Sequence, residues 1–223
     1  MPRDDYQRQL ESLREDTLYM GEVVAERLRM GLDALEQQDD ELGQEVIERD
    51  SEVNELYLEL EQDCIDLLAL QQPVAGDLRF IASSFKIITD LERIADLATN
   101  LGEYAADARY EVFPDVDVQR IGDETLEMLA MAMAAYEDED ADGCFAVAER
   151  DDDLDALCED ASETIVRDLI ESEASDQQEV EDLMADVSRL LLTVRDLERV
   201  GDHAVNVAAR TLYMVDNSDE LIY

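Results

Sequence analysis

The stretch Val194–Asn206 reads VRDLERVGDHAVN, and Ile88–Asn100 reads ITDLERIADLATN. Thr89–Asn100 aligned with Arg195–Asn206 is identical at seven of twelve positions, at an offset of 106 residues. The segments before them also correspond. Glu48-Arg49-Asp50 matches Glu149-Arg150-Asp151, and Asn54 matches Asp155, at an offset of 101. The two offsets differ by one short loop adjustment. Self-similarity over this span marks a duplicated structural unit.

Working outward, apolar residues recur at helical spacing almost throughout. Val46, Val53, Leu60 and Leu67 fall seven apart, with Leu56, Tyr57 and Cys64 beside them, as one face of a bundle helix does. The spacing predicts helices over about Tyr6–Gln37, from an Asp39 or Asp40 cap to Gln71, and from Pro73 to about Arg109. Val112–Asp117 breaks the pattern, and three more helices follow, to about Asp138, over Ala141–Ser172 and over Asp176–Val215. The expected fold is all-α. Six long helices form two repeated three-helix bundles, the first over residues 1–111 and the second over 117–223. Three Pro, eight Gly and 5% aromatics fit helices better than a strand-rich fold.

Charge narrows the function. Sixty Asp and Glu face seventeen Lys and Arg, for a formal net charge of −43, and Lys86 is the only lysine. Such a chain repels itself in dilute salt. Its 46% apolar content is nevertheless too high for an acidic disordered chain. The reading is a folded protein of a salt-rich cytoplasm. Nucleic acid and anionic membranes are not expected partners, because both call for a basic patch. The N-terminus MPRDDYQRQLESLRED lacks signal-peptide character, and no apolar run reaches membrane-spanning length. Cys64, Cys144 and Cys158 lie inside helical patterns without paired zinc-ligand spacing, and read as small buried residues.

The repeated phrase carries a chemical pattern. Glu92, Asp96 and Asn100 are four apart, as are Glu198, Asp202 and Asn206. Each set drifts slowly around its helix and forms a stripe about 12 Å long. Leu91, Ile94, Ala98 and Leu101, with Leu197, Val200, Ala204 and Val207, occupy the other, core-facing side. Asp50 and Asn54 border the apolar face of the second helix, and Asp151 and Asp155 do so in the fifth. Antiparallel packing would set these pairs against the stripes. The donors are carboxylate and amide oxygens, which suit Mg, Ca, Mn or iron better than copper or structural zinc. In so acidic a chain a single such pair means little, and a solvated acidic face is the competing reading. Recurrence at matching places in both halves is what favours a site.

The pattern QPVAGDLRFIASSFKIITDLERIADLATNLGEYA, with its echo RDLERVGDHAVNVA, resembles the PhoU family of phosphate regulators over nearly the whole chain. The resemblance implies two repeats of a three-helix bundle with multinuclear iron or zinc clusters on the bundle surface. It places the family's acidic motif on Glu92 and Asp96 and on Glu198 and Asp202. It further implies a cytoplasmic negative regulator that damps a phosphate ABC transporter through its ATPase subunit, and a sensor histidine kinase where one exists. A homodimer is expected. Ala95 stands where the second repeat has Gly201, which departs from the family's usual phrase.

His203 has the apolar Leu97 as its counterpart and reads as a packing residue. No second histidine exists for a di-iron oxidase set. No nucleophile elbow or phosphate-binding loop appears, so an enzyme is not expected. Arg79, Arg93 and Arg199 read as ion-pair partners within the bundle. The alternatives are a metal-free helical adaptor for another transporter or regulator, and a metal-storage bundle.

Overall fold

The structure is a computed structural model that describes residues 3–70, 74–106, 116–172 and 177–222. Among these, every regular element is an α-helix: α1 (Arg3–Gln37), α2 (Asp40–Glu48), α3 (Asp50–Leu70), α4 (Ala75–Ala106), α5 (Val118–Asp138), α6 (Ala141–Glu171) and α7 (Gln177–Asp216). The expected restart at Pro73, the third helix's end near Arg109, most of the Val112–Asp117 break and the start at Asp176 lie outside the described residues. α1, α4 and the α2–α3 pair form one three-helix bundle, and α5, α6 and α7 the other. The apolar heptad of the second helix is buried at Val46, Val53, Leu60 and Leu67, and the three cysteines are buried and free.

The turns repeat as the sequence does. α1 ends at Gln38, in the left-handed region with φ 51, and α5 ends at Glu139 with φ 54. The next residue then caps the following helix. Asp39 accepts hydrogen bonds from the Glu41 and Leu42 N–H groups, and Asp140 accepts one from Asp142. An aspartate here satisfies helix N–H groups that would otherwise lack partners.

One expected helix differs. The segment expected to run unbroken to Gln71 is interrupted at Arg49, which separates α2 from α3. Asp50 and Glu52 fall in the first turn of α3, where the helix dipole favours acids. α2 also approaches α4 unusually closely. A Cβ built on Gly43 would meet the Gly102 carbonyl at 2.7 Å, and one on Gly102 would meet the Gly43 carbonyl at 2.8 Å. The equivalent positions of the second half are Cys144 and Ala208, and there α6 runs straight through Arg150. The close approach of α2 to α4 thus coincides with the half in which the helix is interrupted.

The halves join face to face about an internal pseudo-two-fold axis. Between α1 and α5 the long side chain of each half enters a glycine notch of the other. Met133 lies against Gly21, and Leu32 lies against Gly122. Leu32 and Met133 are equivalent positions, as are Gly21 and Gly122. Between α4 and α7 the helices run antiparallel, with Asp90 beside Asn206 and Asp196 beside Asn100, while Leu91, Ile94, Ala98 and Leu101, and Leu197, Val200, Ala204 and Val207, are buried in the core. Tyr136 anchors the join. It stacks on Phe80 at 6.4 Å and shares a 2.8 Å hydrogen bond with Ser84. The Arg14 guanidinium lies over both rings.

Candidate functional site: paired carboxylate stripes along the seam

The repeated phrase forms the α4–α7 seam. Asp90 and Asp196, its first acids, sit on the apolar face and are buried. They are satisfied across the seam by the opposite half. Asn100 Nδ2 donates to Asp196 at 3.0 Å, and Asn206 Nδ2 donates to Asp90 at 3.3 Å. The remaining partners differ between halves. Asp196 also accepts from the Tyr104 hydroxyl at 2.9 Å, with Arg199 at 3.5 Å. Asp90 lies 2.9 Å from Nδ1 of His203. His203 is therefore a buried packing residue, as its apolar counterpart indicates, but one with a carboxylate partner. Arg199 makes an ion pair with Asp196, whereas the buried Nε of Arg79 has no hydrogen-bond partner.

Asp90, Asp196 and Tyr104 were not among the residues singled out from sequence. The signal was present, because an acid at 90 falls four and seven residues before Ile94 and Leu97. That spacing puts it on the core stripe, where a carboxylate must find partners.

The candidate ligands gather in two clusters on either side of the seam. In the first, α3 contributes Asp50 and Asn54, and α4 contributes Glu92 and Asp96. Asn54 donates to Asp50 at 2.7 Å, and Thr99 Oγ1 donates to the other Asp50 oxygen at 3.3 Å. Burial, then neighbouring Asp96, raises the Glu92 carboxyl above its ordinary range. Burial, then Asp50, raises Asp96. In the second cluster, Asp151 and Asp155 of α6 face Glu198 and Asp202 of α7. Burial first, then repulsion from Asp155 and Asp202, pushes Asp151 up to about 6. Asp155 and Glu198 are also raised, by burial and then by their acidic neighbours. Asp151 Oδ1 is buried without a hydrogen-bond partner.

Asn100 and Asn206 extend each stripe along the helix, but their amide N–H groups are committed to Asp196 and Asp90. Each cluster thus brings together four of the candidate ligands, while its asparagine serves the seam. Hard oxygen donors, mutual repulsion and an orphaned buried oxygen at Asp151 are what a cation would relieve. As the side chains stand, no group of three or more His, Cys, Asp or Glu among the described residues is arranged to hold a metal ion. The clusters are open stripes, not a closed cage.

Gly201 explains the departure between the two phrases. A Cβ there would meet Leu154 Cδ2 at 2.2 Å. The first half has Ala95 at this position and Val53 in place of Leu154. A smaller residue on one helix is matched by a larger one on its neighbour, which conserves packed volume.

The PhoU domain family model matches this chain twice, over residues 17–105 and 118–211. The chain belongs to the PhoU family. It is 31% identical over 218 residues to a phosphate-specific transport system accessory protein PhoU homolog of Clostridium acetobutylicum, covering 96% of each chain. It is 28% identical to the Escherichia coli K12 accessory protein PhoU, over 96% of this chain and 86% of that one. The crystal structure of PhoU from Pseudomonas aeruginosa superposes with a TM-score of 0.88 at 30% identity, covering 96% of this chain and all of that one. The phosphate transport regulatory protein PhoU of Streptococcus pneumoniae gives 0.87 at 25% identity, covering 98% of this chain and 99% of that one. No helix among the described residues is long and apolar enough to cross a membrane.

Proposed function

We propose that this chain is a cytoplasmic negative regulator in a phosphate transport system. It acts by contact with the ATPase subunit of a phosphate ABC transporter and, where one exists, with a sensor histidine kinase. The observation that carries the reading is the twofold PhoU match, at full length and with the same fold as relatives whose names place them in phosphate transport. The seam supports a rigid binding body over a moving one, because two buried carboxylates, Asp90 and Asp196, each take a hydrogen bond from the opposite half and tie α4 to α7. In molar salt, charge steering is screened, so contact must rest on apolar fit and specific polar pairs. The test is phosphate-transporter ATPase activity at molar salt. Added chain should depress it when phosphate is plentiful, and an unchanged rate would overturn the proposal.

The two carboxylate clusters are proposed as the metal sites of this regulator. Iron or zinc follows from the family, and Mg or Mn from the oxygen donors. Asp50, Asn54, Glu92 and Asp96 would hold one set, and Asp151, Asp155, Glu198 and Asp202 the other. A bound cation would supply positive charge to an acidic face and lend it shape. The open arrangement of the side chains favours a second reading, a metal-free adaptor. Metal content of untagged protein by inductively coupled plasma mass spectrometry separates the two. Bound metal that is lost in Asp96→Ala, Asp202→Ala supports the cluster reading, and its absence from the wild type supports the adaptor.

A further inference from the structure

The internal repeat relates the two carboxylate clusters, but it does not make them alike. Their donor sets differ. Asp50, Glu92 and Asp96 supply three carboxylates beside the amide of Asn54. In the second half the place of Asn54 is taken by Asp155, which with Asp151, Glu198 and Asp202 makes four carboxylates. The matching aspartates differ too. Both oxygens of Asp50 are engaged, Oδ2 by Asn54 Nδ2 at 2.7 Å and Oδ1 by Thr99 Oγ1 at 3.3 Å. At Asp151 both of those donors are gone. Asp155 stands for Asn54, Val205 stands for Thr99, and Asp151 Oδ1 is buried without a hydrogen-bond partner. A buried carboxylate oxygen in that state lacks compensation until a cation or a donor meets it.

The surroundings follow the same division. Arg93 beside Glu92 and Arg199 near Asp96 bring positive charge to the first cluster. The strongest charged neighbours of Asp151, Asp155 and Glu198 are all acids. Space differs as well. A Cβ on Gly201 would stand 3.3 Å from Asp151 Oδ1, and the equivalent residue of the first half, Ala95, carries that methyl. The second cluster thus has more negative charge, less compensation of it, and a ligand oxygen that neither a donor nor a methyl on the neighbouring helix occupies.

Resting on the metal-site reading proposed above, we infer that the two clusters are unequal: the α6–α7 cluster is the high-affinity site for a divalent cation that prefers oxygen donors, and the α3–α4 cluster is a low-affinity one. Ligand charge count tunes the affinity of oxygen-donor sites over decades. Asn54 and Thr99 do orient Asp50, as outer partners of metal ligands do. They achieve it with a neutral amide where the second half has a carboxylate, and a full charge acting on a divalent ion is the larger effect. At limiting metal, one half of the duplicated molecule is therefore loaded and the other is not.

The experiment titrates the chelator-treated, untagged full chain with Mn2+ in molar potassium chloride and reads free Mn2+ by electron paramagnetic resonance. The expected result is two classes of site that differ by about tenfold or more in Kd. Asp155→Asn should remove the tighter class and keep the weaker one, and Asp202→Ala, on the other helix of the same cluster, should do the same. Asn54→Asp should instead tighten the weaker class toward the other. Unchanged helicity by circular dichroism is the folding control for each variant. Equal affinities in the wild type, or a tighter class that Asp96→Ala removes and Asp155→Asn keeps, would overturn the inference while leaving the metal-site reading intact. Absence of Mn2+ binding by the wild type would overturn both, and the regulator reading would stand without them.

Discussion

Asn100 donates to the buried Asp196 across the α4–α7 seam at 3.0 Å, and the internal symmetry repeats the contact with Asn206 and Asp90. Each half of the repeat supplies the acid that the other half's amide satisfies. A buried carboxylate is tolerable only when it is hydrogen-bonded, so the contact ties the stability of each half to the presence of the other. Replacing Asp196 by Ala leaves Asn100 and the Tyr104 hydroxyl without their acceptor. Chemical unfolding at molar salt should show a loss of about 2–3 kcal/mol. In a double-mutant cycle, Asn100→Ala and Asp196→Ala should couple by about 1 kcal/mol or more.

The glycine of the second phrase is a packing requirement set by its neighbour. Gly201→Ala should destabilise by about 1–3 kcal/mol, because its Cβ meets Leu154. Shortening that neighbour to the first half's residue, in the pair Gly201→Ala, Leu154→Val, should recover most of the loss. A pair no more stable than Gly201→Ala alone would mean that the glycine serves something other than fit.

Asp151 carries a pH dependence with a definite sign. Its folded carboxyl, pushed up to about 6, holds its proton more tightly than the ordinary carboxyl at 3.8. The folded state therefore binds more protons between those values, and stability falls as pH rises through that window. In chelator-treated protein, Asp151→Asn should unfold later than wild type at pH 7.5. The gain should be about 1 kcal/mol once solvent screening of this half-buried group is allowed for. Near pH 3.5 the two should unfold alike.

The charge balance predicts a salt requirement. With a net charge of −43, the folded chain should lose helicity on dialysis from molar salt into dilute buffer. Circular dichroism reads the transition directly. Full helicity in dilute buffer without salt or divalent cations would contradict it.

The order of helices, the duplication and the core-facing stripes could be read from the chain because they are periodic and local. Leu91, Ile94 and Ala98 recur at helical spacing whatever they pack against, and the LER phrase matches its copy without any knowledge of the fold. The gathering of Asp50 and Asn54 with Glu92 and Asp96, and of their counterparts, was also readable, from the matching offsets of the two repeats. The interruption at Arg49 was not, since the heptad of Val46 and Val53 passes through it unbroken. It accompanies the Gly43–Gly102 approach, which joins residues far apart in sequence.

By itself, then, the sequence determined an all-helical, twice-repeated chain with acidic stripes beside an apolar face, since helix periodicity is a property of neighbouring residues. Only the tertiary structure decided how the halves exchange partners. The antiparallel α4–α7 seam sets Asp90 against Asn206 and Asp196 against Asn100, and the glycine notches at Gly21 and Gly122 receive the other half's Met133 and Leu32. No spacing within one helix encodes those pairings. They follow from close packing about the pseudo-two-fold axis, where buried polar groups and bulky side chains have to find partners on another element.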